Sequence, residues 1–80
     1  MTVEPYEEQI ELQKIWSILC KHQIQDLDQN FFDVGGYSLL LIELIRHIEM
    51  QFSVTIKVME LFRHSSIRTQ ARLIRSKRSM

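Results

Sequence analysis

Turn-forming residues are almost missing from this chain, which has two glycines and one proline in 80 residues. A sheet built on many tight turns needs more of both, so the composition favours helices. The single cysteine, Cys20, excludes an internal disulfide and fits a reducing, cytoplasmic compartment. No uninterrupted apolar run approaches membrane-spanning length, and Met1 to Pro5 lacks the basic-then-apolar form of a secretory signal, so no membrane role is expected. Net charge is missing too: ten basic and ten acidic residues cancel, which argues against bulk attraction to nucleic acid. The cancellation hides a polarity, because residues 1–40 hold seven acidic and two basic groups while residues 57–80 hold seven basic and one acidic. Such a gradient can orient a partner or simply serve solubility. The length suffices for one module and no second core.

What is present is helical periodicity. Tyr6 to Lys21 contains no breaker, Pro5 suits a first turn, and Glu7 and Glu8 are well placed for the helix dipole. Leu12, Ile15, Trp16 and Leu19 form one stripe, with Cys20 at its margin. A core role for Trp16 outweighs a stacking role. Residues 22–37 have no sustained period, and a loop of that length in a small domain is expected to be functional or pinned to the core. One or both of Phe31 and Phe32 are expected to supply the pin. A second helix is predicted from Ser38 to about Gln51, with Leu40, Leu41, Leu44, Ile45, Ile48 and Phe52 facing inward. Leu39 and Ile42 fall off that face, near Glu43 and Arg46, and read as a partner surface.

Phe52 to Ile56 alternates like a strand but has nothing to pair with, so it reads as a connector. Lys57 to Arg63 offers a short helical piece with Val58, Leu61 and Phe62 apolar. Ser65 or Ser66 can cap a last helix in which Ile67, Ala71 and Ile74 share a face, while Arg68, Arg72 and Arg75 occupy the other as a solvated basic surface. The tail, 76–80, is expected to fray. The predicted fold is all-α: a small bundle of three main helices and one short one, with a long first loop, forming a single domain over 1–80 with its core at about 6–74.

The segment Asn30-Phe31-Phe32-Asp33-Val34-Gly35-Gly36-Tyr37-Ser38-Leu39-Leu40 organises the rest. Two aromatics anchor a loop, two glycines leave the backbone bare, and a hydroxyl stands where a helix begins. A hydrolytic serine needs a base and an orienting group. His22, His47 and His64 are at no spacing that demands contact with Ser38, His47 projects from the opposite side of its helix, and the Gly-x-Ser-x-Gly elbow is missing. No catalytic residue is therefore assigned. Nor is a metal expected, since Cys20, His22, His47 and His64 match no zinc pattern. Asp33 sits awkwardly beside any phosphate on Ser38 unless it turns away to cap a turn. Gly35 and Gly36 are expected to give an incoming enzyme open access to the serine.

This segment resembles the attachment motif of phosphopantetheine-dependent carrier proteins, particularly the peptidyl carrier (thiolation) domains of nonribosomal peptide synthetases. Ile15-Trp16-Ser17-Ile18-Leu19 resembles the family's Ile-Trp-x-x-Leu, and Leu61-Phe62-Arg63-His64-Ser65-Ser66-Ile67 its Leu-Phe-x-x-x-Thr/Ser-Ile. Tyr37 departs from the usual residue before the serine. The resemblance implies a four-helix bundle of the acyl carrier protein type, monomeric, with 4'-phosphopantetheine transferred from coenzyme A to Ser38 by a phosphopantetheinyl transferase. It also implies visits to adenylation, condensation or ketosynthase, and thioesterase domains, made through Gly36, Tyr37, Leu39, Ile42 and Arg46. A polyketide acyl carrier is the alternative within the family. From other classes, an unmodified helical adaptor would bind protein with Ser38 replaced, and a serine hydrolase would turn over activated esters.

Overall fold

A computed structural model describes residues 4–79. Four helices follow one another: α1 (Tyr6–Cys20), α2 (Ser38–Phe52), α3 (Val58–Arg63) and α4 (Ile67–Arg78), with no strand among the described residues. The three long helices and one short helix match the expected bundle. α1 packs on both α4 and α2, and α3 rests on α2. The α1 stripe is buried at Leu12, Ile15 and Trp16, and the α2 face at Leu41, Leu44, Ile48 and Phe52. Leu19, Leu40 and Ile45 lie half-buried at the edges of the same core. α1 stops where Lys21 turns into the left-handed region at φ 61°, and α2 stops at Ser53 at φ 56°. Beyond it, 53–57 is a connector whose Ile56 is buried and donates its amide to Glu49 Oε2 at 3.2 Å.

Ser66 is the cap of α4, accepting the Thr69 amide at 3.2 Å. Ser65 is thereby free to serve the long loop. Its carbonyl accepts the Phe31 amide at 2.7 Å and its hydroxyl accepts from Asn30 Nδ2 at 2.9 Å. The Arg68 amide reaches the Leu27 carbonyl at 3.0 Å, so the first loop is sewn to the start of α4.

Three expectations are corrected. Where a loose tail was expected from Ser76, α4 continues to Arg78, whose guanidinium reaches Glu8 at 2.7 Å; Met80 lies outside the described residues. Glu8 is more than a complement to the helix dipole. It is fully buried, accepting from Arg75 Nε at 2.8 Å, Arg75 Nη2 at 2.7 Å and Arg78 Nη1. And the basic face of α4 is not merely solvated, since Arg68 pairs with Asp28, Arg72 with Glu4, Lys77 with Glu60, and Arg78 with Glu7 as well as Glu8. Acidic groups of the first half, Glu4, Glu7, Glu8 and Asp28, thus meet basic groups of α4 inside the molecule.

A second polar contact that periodicity does not reveal lies between the same helices. Trp16 Nε1 donates to Gln70 Oε1 at 3.1 Å, with both side chains fully buried. This bond satisfies the indole inside the core and fixes the register of α1 against α4.

Candidate functional site

The serine loop is positioned from its aromatic side. Phe31 is fully buried, its ring edge-on to Trp16 at a centroid separation of 4.9 Å, and its burial stabilises the fold by roughly 1.5–3 kcal/mol. Phe32 continues the contact at 5.9 Å and stacks on Phe62 of α3 at 5.5 Å. Both aromatics therefore act as pins. The turn between them and the serine is capped by Asn30, whose Oδ1 accepts the Phe32 amide at 2.8 Å. Asp33 does not cap it: the Asp33 side chain is exposed, and its amide donates to the Asn30 carbonyl at 2.9 Å.

The two glycines have different jobs. Gly35 adopts φ +107°, a conformation that favours glycine, with open space where a Cβ would stand. Gly36 is buried, contrary to the expectation that it forms part of the partner surface. A Cβ there would run into the Phe31 ring and stand 2.6 Å from the Phe31 carbonyl oxygen, to which the Gly36 amide already donates at 2.9 Å. Its missing side chain permits close packing rather than access.

Ser38 is exposed and is the first residue of α2. Tyr37 precedes it in extended conformation, φ −147° and ψ 177°, and offers no side-chain cap. The first bond of the helix runs from the Leu41 amide to the Tyr37 carbonyl at 2.9 Å, so the amides of Ser38, Leu39 and Leu40 have no acceptor within the helix. Such amides favour negative charge, by about 0.3–1 kcal/mol at an exposed helix start. An exposed hydroxyl beside them suits a phosphodiester, so these residues fit a covalently attached phosphopantetheine.

No histidine among the described residues is hydrogen-bonded to Ser38. His22 is engaged with the Val34 carbonyl at 2.7 Å, and its other ring nitrogen faces the Gln23 carbonyl at 3.3 Å. Cys20 is half-buried, and burial raises its thiol above the ordinary value, which leaves it a poor nucleophile. Of the remaining residues singled out in the sequence, Tyr37, Leu39 and Ile42 are 56%, 60% and 52% exposed, and Arg46 is exposed as well. Sequence reasoning missed the outward turn of α3. Leu61 is buried, but Val58, Met59 and Phe62 are exposed. The signal for it was the length of α3, since a helix of six residues cannot bury apolar groups on every side.

Comparison with known proteins agrees with this geometry. The family model described as "Phosphopantetheine attachment site" matches residues 11–74, from within α1 to within α4. The chain belongs to that family. It is 38% identical over 68 residues to the hybrid PKS-NRPS synthetase GkaA of Penicillium citrinum, an alignment covering 79% of this carrier domain and 2% of the synthetase. It is 30% identical over 67 residues to a plipastatin synthase polypeptide of Bacillus subtilis, covering 84% of this chain and 3% of that polypeptide. The carrier domain thus spans a few hundredths of the length of these curated relatives. Among solved structures it resembles the PaxA T1-CDD/PaxB NDD docking complex of the Pax NRPS, with a TM-score of 0.81 and 33% identity over 88% of this chain and 67% of that one.

Proposed function

We propose that Ser38 is the attachment residue and that the domain carries aminoacyl, peptidyl or acyl intermediates between the catalytic domains of a nonribosomal peptide or hybrid peptide-polyketide synthetase. The observation that carries this reading is the exposure of the Ser38 hydroxyl at a helix start whose amides are uncapped. When bound, 4'-phosphopantetheine supplies a thiol on a flexible arm, which holds its cargo as a thioester. The chain's own residues do the rest. The core and the sewn loop hold Ser38 in a fixed place, the free amides tolerate the phosphodiester, and Tyr37, Leu39, Ile42 and Arg46 offer a mostly apolar surface to visiting enzymes.

Among the described residues no histidine is hydrogen-bonded to Ser38, which supports reading the domain as a non-catalytic component of its synthetase. A phosphopantetheinyl transferase activates the hydroxyl from outside, and adenylation, condensation or ketosynthase, and thioesterase domains act on the cargo. The lone, unreactive Cys20 suits work in a reducing cytoplasm. Incubation with coenzyme A and a broad-specificity transferase, followed by intact-mass measurement, tests the assignment. One added arm is expected, and none for Ser38→Ala. A folded Ser38→Ala protein that still gains the arm, or a folded native protein that never does, would overturn it.

A further inference from the structure

Between Asp33 and Ser38 the backbone receives one side-chain hydrogen bond among the described residues, and it comes from His22. Nε2 of the ring lies 2.7 Å from the Val34 carbonyl oxygen. His22 follows Lys21, the residue that ends α1 in the left-handed region, so the bond ties the end of one helix to the segment that feeds the next. Val34 is also held by its own side chain, which is 7% exposed in the core. Immediately after it comes Gly35, at φ +107° with nothing beside it, and then Gly36, seated on Phe31. The Val34 carbonyl belongs to the peptide that leads into Gly35, the one residue between the Val34 anchor and the Gly36 amide, itself bonded to the Phe31 carbonyl, on the way to Ser38.

We infer that His22 is a positioning residue for cofactor attachment: it donates to the Val34 carbonyl and so holds the Val34–Ser38 segment in the form a transferase must engage. The inference rests on Ser38 being the attachment residue. Its physical basis is pre-organisation. A segment already ordered before encounter does not have to lose its backbone freedom on binding, so holding it strengthens productive association without touching the reacting atoms. The second ring nitrogen lies 3.3 Å from the Gln23 carbonyl, and neither ring nitrogen is hydrogen-bonded to Ser38.

The test compares His22→Phe, which keeps a ring and removes the donor, with His22→Gln, which restores an N–H at similar reach. Carrier-dependent kinetics with coenzyme A and the transferase are expected to show KM raised about three- to tenfold for His22→Phe, with kcat little changed, as loss of one hydrogen bond that orders the binding segment would give. His22→Gln is expected to recover most of the difference. Amide hydrogen exchange at Gly35 to Leu39 should quicken in His22→Phe and return in His22→Gln, with the exchange of α1 and α4 unchanged in both. Equal KM for native protein and His22→Phe would overturn the inference, as would equal impairment of both variants. If His22→Phe loses its fold, His22→Gln with native exchange but a KM as poor as that of His22→Ala would overturn it too. Modification of Ser38→Ala would instead sink the assignment of the serine, an outcome read separately by mass.

Discussion

Where α1 begins and α4 stops, a buried carboxylate takes three charged hydrogen bonds from two arginines; where α2 begins, a serine hydroxyl and the first helical amides stand without such partners. These are opposite ends of the bundle. His22, just past α1, touches Val34, just before α2, whereas Phe52, the last residue of α2, lies under Arg78 with 5.7 Å between guanidinium and ring centroid. The fifteen residues of α2 separate the two by about 22 Å at the usual helical rise. One end consumes its polar groups to fix the frame. The other leaves them available to a partner, and it can do so because the frame does not depend on them.

The sharpest way to break the comparison is to remove the carboxylate. Glu8→Ala is expected to lower stability by about 2–4 kcal/mol, somewhat less than the roughly 3–5 kcal/mol for breaking a fully buried pair, because the arginine side chains stay partly hydrated. Urea or thermal unfolding checks this. Acid provides a second reading. Its hydrogen bonds from Arg75 hold the Glu8 carboxyl below its ordinary value of 4.5, with burial opposing the shift. Because the folded-state value is lowered, the contribution is fully present above 4.5 and is lost as pH falls through the lowered value. The native protein should therefore lose stability more steeply on acidification than Glu8→Gln does. Parallel curves for the two would show that the carboxylate is not the acid-sensitive group.

A smaller effect is expected at the other end from Gly36→Ala. The added methyl meets the Phe31 ring and carbonyl, and because Phe31 is held between Trp16 and Phe32, the relief must come from the loop. A loss of about 1–3 kcal/mol is typical of such overpacking. Phosphopantetheine loading should fall with it, since the loop delivers the serine. Loading and unfolding measured on the same sample would show whether the two losses travel together; unchanged values of both would mean that Phe31 gives way freely.

The contrast between the ends also explains what could be read from the chain alone. The helices and the inward faces of α1 and α2 follow from local spacing, because a stripe of apolar residues is a property of neighbours in sequence, and Phe31 was legible as an aromatic in a loop that has no period of its own. Glu8 in its pair with Arg75 and Trp16 in its bond to Gln70 join residues 67 and 54 positions apart. No period announces such partners. The charge gradient was visible, but its meaning depended on α1 and α4 packing together. Gly36 was legible as a glycine that matters, though not why, because both an open approach and a tight contact call for a missing side chain. The helical extension to Arg78 is likewise a tertiary effect, since the last turn is held by Glu8, Glu7 and Glu60.

The least costly changes to the fold should be the most telling about the exposed end. Leu39→Ala and Ile42→Ala remove side chains that are 60% and 52% exposed, so each should change stability by no more than about 0.5 kcal/mol. If this surface is where enzymes dock, loading by the transferase or acceptance of cargo from an adenylation domain should nevertheless fall, and more in the double variant than in either single one. Unfolding and loading must then separate, which distinguishes these positions from Gly36, where they are expected to move together. A double variant that loads and accepts cargo like the native domain would move the docking surface elsewhere. The exposed residues Val58, Met59 and Phe62 on α3 would be the next to replace, with Phe62 paired with an unfolding measurement because losing its stack on Phe32 also loosens the loop.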